Sequence, residues 1–212
     1  MFIELLDLLR CVKPHEDTWL VASFRSVTNR FMDSGTLGCP VCSTTYLVEK
    51  GIGDFTLGAE VPECDAQRLE ASHKREELAT RAGAYLNATE PGATIILGGI
   101  WGFAAPELSE MADVRVIAMN AASEVKETER VGLVNVAARI PLAPNSALGV
   151  ALDAWFPAGI VASAAEVVRP GGRIVGPSAL EPPAGMTVLA HDAMYWIAQK
   201  AEETIPLRRA GK

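Results

Sequence analysis

The 212-residue sequence predicts an α/β protein: a compact, doubly wound, mostly parallel sheet preceded by a small metal-bearing module. Three observations carry that expectation. From about residue 88 onward, short apolar segments alternate with helical ones, the pattern of strands joined by helical crossovers. Residues 1–58 hold three of the four cysteines among many turn formers. Between these regions, residues 65–86 (DAQRLEASHKREELATRAGAYL) are densely charged, with Leu78, Ala82, Tyr85 and Leu86 at helical spacing. The resulting division is a module at 1–58, a linking helix at 59–87 and an α/β domain at 88–212.

In the second part, Ala93–Leu97 reads as the first strand, followed by a glycine turn and a helix opened by Pro106. Val114–Met119 is a second strand, residues 123–130 a short polar helix, and Leu133–Val136 a third strand. The loop Ile140–Ala147 leads to a fourth strand at Leu148–Leu152. Ile160, Val161, Ala164, Val167 and Val168 mark one face of a helix stopped by Arg169-Pro-Gly-Gly172. A fifth strand follows at Arg173–Val175, and residues 186–197 supply a last one.

Bulk composition excludes several functions. At 49% hydrophobic residues the chain can fill a core, and a formal charge of −7 argues against direct grip on a nucleic-acid backbone. The longest uncharged run, residues 91–106, is too short and too interrupted by glycine and proline to cross a bilayer, so no membrane insertion is expected. Glu4 and Asp7 stand where an export signal would be basic, which points to the cytoplasm and to cysteines used as thiols or ligands.

Cys39-Pro-Val-Cys42 has the spacing of both redox turns and zinc knuckles. A redox pair needs a helix after it; here Thr44–Val48 reads as a strand. Cys11-x3-His15 offers two further ligands upstream, so Cys11, His15, Cys39 and Cys42 form a candidate four-ligand zinc site, closed to water and therefore structural. Cys64 reads as a plain thiol and His73 as a solvated residue.

LLDLLRC at 5–11, LGCPVC at 37–42 and YLVEKGIGDF at 46–55 together resemble the zinc-ribbon activator subunits of tRNA and release-factor methyltransferases. His15 departs from that pattern by replacing a cysteine with one residue of extra spacing, and Gly53 by replacing a proline. Residues 88–200 resemble class I S-adenosylmethionine (SAM)-dependent methyltransferases, most closely at Ala164–Val175, with Ile140–Ser146 similar to the loop before the fourth strand. The resemblance implies a Rossmann-like methyltransferase fold with Gly98, Gly102 and Asn120 at the cofactor positions, should SAM bind.

That cofactor pattern is worn away. The middle glycine of the first turn is Ile100, with Trp101 beside it; both are expected to fill cofactor space. The acidic residue of the first strand corresponds to Ile96, the ribose-binding acid of the second strand to Asn120, and Asn135-Val-Ala137 offers no acid after the third. Asp153 is the one acid at the carboxyl edge, read as a cap, and His191 as structural, so no catalytic residue is assigned. The leading expectation is a zinc-binding, non-catalytic methyltransferase-like scaffold or regulatory protein that does not hold SAM and acts on a protein partner or a second copy. The alternative is a SAM-dependent methyltransferase with an atypical site and an RNA- or translation-related substrate.

Overall fold

The computed structural model describes residues 1–61 and 75–202. Cys64, His73, the first part of the expected linking helix and the basic residues 208–212 lie outside the described residues.

The first module is a four-stranded antiparallel meander, not a turn-rich segment with one strand. After a short helix α1 (Ile3–Leu6) come β1 (Val21–Thr28), β2 (Phe31–Gly38), β3 (Thr45–Glu49) and β4 (Ile52–Phe55). Asn29 and Arg30 between β1 and β2 both have positive φ, as do Lys50 and Gly51 between β3 and β4. Two-residue hairpin turns need that left-handed geometry to match the strand twist. The hairpin β1–β2 was not expected because β1 exposes nearly every residue, so it lacks the apolar alternation that marks a half-buried strand.

The second part runs α2 (Arg75–Leu86), β5 (Thr94–Gly98), a 3₁₀ helix (Gly99–Ala104), α3 (Ala105–Met111), β6 (Arg115–Met119), β7 (Val131–Val136), β8 (Ala147–Ala151), α4 (Ala158–Val167), β9 (Val168–Pro177), β10 (Met186–His191) and β11 (Tyr195–Lys200). Pro106 sits in the first turn of α3, where its missing N–H costs nothing. Residues 123–130 form a turn and irregular chain rather than the expected polar helix, anchored by the buried Val125 and by the pairing of Glu127 with the Met1 amine and of Arg130 with Asp113. Residues 186–197 form two strands rather than one: β10 and β11 pair antiparallel, with the turn closed by Asp192 accepting the N–H groups of Met194 and Tyr195 at 2.7 and 2.8 Å. Arg169–Gly172 does not separate helix from strand; it bulges out of β9, where the register jumps from Val168 opposite Ala147 to Arg173 opposite Gly149.

The eleven strands among the described residues join one sheet in the order β1-β2-β3-β4-β7-β6-β5-β8-β9-β11-β10. From β5 the chain winds outward through β6 and β7, then returns to the other side through β8 and β9, all in parallel. This is the doubly wound, Rossmann-like arrangement, with its switch point between β5 and β8. β11 and β10 close one flank antiparallel. On the other flank β4 pairs in parallel with β7, from Ile52 opposite Leu133 to Phe55 opposite Val136, so the meander extends the same sheet.

Alternate strand residues feed two cores. One gathers Leu5, Leu9, Tyr46, Val48 and Phe55 of the first module with Ile117, Val134, Val136 and the α4 residues Ile160, Val161 and Ala164. The other lies under α2 and α3 and takes Ile95, Leu97, Val116 and Val131 with Leu78, Leu86 and Leu108. Each fully buried side chain of this size contributes about 1.5–3 kcal/mol, so the shared core outweighs the short β4–β7 ladder in joining the two parts. Among the described residues no helix is long and apolar enough to cross a membrane.

Candidate functional site

The segment carrying Cys11 is pinned at both ends. Leu9 bridges Leu142, and Arg10 donates its N–H to Pro141 O at 2.9 Å, which ties it to the loop after β7. Arg10 also bridges Trp19, lies over its ring at 5.0 Å and donates Nε to Asp17 at 3.3 Å, holding the loop that contains His15. Cys39 and Cys42 stand on the turn between β2 and β3, closed by Cys39 N–H to Thr44 O (2.8 Å) and Ser43 N–H to Cys39 O (3.0 Å).

These elements bring all four predicted ligands together: the ligand atoms of Cys11, His15, Cys39 and Cys42 lie within 4.8 Å of one another. Cys11 Sγ and Cys42 Sγ are 3.6 Å apart, and Cys39 Sγ and His15 Nε2 are 3.3 Å apart. Tetrahedral zinc with bonds of about 2.0–2.3 Å puts its ligand pairs roughly 3.5–3.8 Å apart, so the donor set fits that ion. His15 Nδ1 lies 2.6 Å from Glu16 O. Protonation of Nδ1 to make that bond leaves the Nε2 lone pair aimed into the cluster, the tautomer that metal ligation requires.

Tyr46 supports the cluster from behind. Its ring is buried and stacked on Phe55 at 4.6 Å. Its hydroxyl lies 3.0 Å from Cys11 Sγ and accepts Val12 N–H at 3.1 Å. Burial, then the bond to Cys11, pushes the phenol well above its ordinary range, so it stays a donor. The thiols diverge: burial raises Cys11, whereas the hydroxyl and N–H of Thr44 hold Cys42 down at about 6. Hydrogen bonding to Glu16 raises His15.

A second site lies where open α/β sheets bind ligands, outside the carboxyl ends of the strands at the switch point. A crevice of about 280 Å³ is lined by Glu60, Gly99, Asn120, Val136, Ala137, Trp155, Phe156 and Pro157. Ile100 and Trp101 do not fill it, contrary to expectation. Both pack into the core under α2 and α3, with Trp101 meeting the rings of Tyr85 at 6.3 Å and Tyr195 at 5.3 Å.

Asn120 in the crevice lining and Asp153 beside Gly99 are each engaged by the protein's own backbone. Asp153, buried just beyond β8, accepts Ile100 N–H at 2.8 Å and Trp155 N–H at 3.1 Å. Gly99 has φ +60°, and a Cβ there would overlap the Asp153 carboxylate. Asn120 donates Nδ2 to Val136 O at 2.9 Å and accepts Val136 N–H on Oδ1 at 2.7 Å. Of the other positions implied by resemblance, Gly98 faces the Phe156 ring and Gly102 faces Ala121. His191 is exposed at the end of β10, far in the sheet from β5. The lining residues Glu60, Gly99, Trp155 and Phe156 were not foreseen; the Gly98-Gly99 doublet and the aromatic pair directly after Asp153 were the available signals.

No family model and no curated protein matches the sequence. Among solved structures the chain is similar to geranyl diphosphate methyltransferase in complex with SAM: 17% identity, TM-score 0.42, 57% of this chain and 56% of that one. It is also similar to a SAM-dependent methyltransferase from Geobacter sulfurreducens in complex with S-adenosyl-L-homocysteine (18%, 0.39, 55% and 56%). A third is the MycE methyltransferase of the mycinamycin biosynthetic pathway (10%, 0.46, 69% and 59%). The chain spans a little over half the length of these methyltransferases. The likeness is one of fold, which here rests on the strand order and register described above.

Proposed function

We propose that this protein is a zinc-stabilised, methyltransferase-like scaffold that does not transfer methyl groups and works by binding a protein partner or a second copy in the cytoplasm. The observation that carries this reading is the inward commitment of Asn120 and Asp153, whose amide and carboxylate are bonded to Val136, Ile100 and Trp155. A ribose reaching Asn120 in the crevice would have to displace its bonds to Val136, at about 1–3 kcal/mol for each partner left unpaired, and the Asp153 carboxylate already occupies the Ile100 N–H of the first turn. Gly98 supports the same reading, since the space beside it holds Phe156. In the first 58 residues, Cys11, His15, Cys39 and Cys42 would hold one zinc ion, and four protein ligands leave no open position for catalysis. The metal would supply fold stability there and no chemistry.

Titration calorimetry of the full chain with SAM and with S-adenosylhomocysteine tests the proposal, alongside elemental analysis. No heat of binding at millimolar ligand and one zinc per chain are expected; a micromolar Kd for either nucleotide overturns the non-catalytic reading.

The volume of the crevice favours a second reading, a methyltransferase with an atypical cofactor pose acting on an RNA- or translation-related substrate. Glu60 lines the same crevice as Asn120 and brings a carboxylate where β6 ends in an amide. In that case SAM would bind and Glu60→Ala would weaken it at least tenfold.

A further inference from the structure

We infer that Cys11 and Cys42 form an oxidisable pair: a hydroperoxide converts them into a disulfide and thereby dismantles the metal site while leaving the fold closed. This rests on the metal reading for its consequence but not for its chemistry. The two sulfurs lie 3.6 Å apart, Cys42 is exposed and Cys11 is partly exposed, so both the oxidant and the second thiol reach the same atom. Cys39 also neighbours both of these thiols but is the least accessible of the three to the oxidant. It is 3% exposed, faces His15 Nε2 at 3.3 Å and has its N–H and C=O committed to the turn through Thr44 and Ser43.

The step balances as follows. The Cys42 thiolate attacks one oxygen of the peroxide, breaking the O–O bond; one proton is taken up and water or an alcohol leaves, giving the sulfenic acid. The Cys11 thiolate then attacks that sulfur, and the S–O bond breaks as a second proton is consumed and water leaves. Two thiolates have lost two electrons to one peroxide. Only Cys39 and His15 remain for the metal, too few for a tetrahedral site, so the ion is released. The new bond joins the segment before β1 to the turn after β2 across 31 residues, the same two segments that the metal would bridge.

The test uses the full zinc-loaded chain and, in parallel, the chain stripped by a chelator. Each is treated with one equivalent of hydrogen peroxide, quenched with N-ethylmaleimide and mapped by non-reducing peptide mass spectrometry, with zinc release followed by a chromophoric chelator. Expected are a Cys11–Cys42 peptide in both samples, loss of two of the four maleimide-reactive thiols, stoichiometric zinc release from the loaded sample and an unchanged far-UV circular dichroism spectrum. A bridge through Cys39 or Cys64, or oxidation of Cys42 to sulfinic acid without a bridge, overturns the inference. A protein that never carries zinc yet forms the Cys11–Cys42 bridge refutes the metal reading alone.

Discussion

The carboxylate of Asp153 accepts the N–H of Ile100 at 2.8 Å, linking the residue beyond β8 to the turn after β5 across 53 residues. In an open α/β sheet that N–H belongs to the turn that approaches a bound nucleotide. Here the protein supplies its own anion. Asp153→Ala is therefore expected to leave Ile100 N–H and Trp155 N–H without this partner and to lower stability by about 1–3 kcal/mol. Urea unfolding checks it. Gly99→Ala should cost at least as much, because its Cβ has no room beside the same carboxylate.

Asn120→Asp separates a latent cofactor site from a structural one. A carboxylate at 120 keeps the acceptor for Val136 N–H but sets an anion against Val136 O, where the amide now donates at 2.9 Å. The expected outcome is a loss of about 1–3 kcal/mol in urea unfolding, and no gain of SAM binding by calorimetry.

Tyr46→Phe probes the support behind the thiol cluster. The variant keeps the ring stacked on Phe55 but removes the hydroxyl that touches Cys11 and accepts Val12 N–H. Groups that orient metal ligands are worth about 10–100-fold in metal affinity. Competition with a chromophoric chelator should show a loss of that size, with far-UV circular dichroism unchanged.

The thiols should also react in a defined order. In metal-free protein, Cys42 titrates near 6, below the ordinary thiol value of 9.0, because Thr44 bonds its thiolate. Its iodoacetamide reactivity, followed by peptide mass spectrometry, is expected to rise through pH 6, while Cys11, raised by burial, reacts only above the ordinary thiol range. The stabilisation linked to the Cys42 thiolate is fully present above about pH 9 and is lost as pH falls through about 6.

By itself the sequence determined the α/β class, the parallel strands β5 to β9 and the grouping of Cys11, His15, Cys39 and Cys42 into one cluster. Apolar runs and ligand spacings are local, so they survive in one dimension. The antiparallel edge strand β1 left no such trace, because neither of its faces is consistently buried. Tertiary structure alone decided that β4 joins β7 in parallel, that Trp101 turns under α2 and α3 and leaves the crevice open, and that Asp153 and Asn120 bond the backbone at Ile100 and Val136. Those relationships connect residues far apart in the chain, and which partner a buried carboxylate or amide takes depends on the groups that packing brings within 3 Å of it.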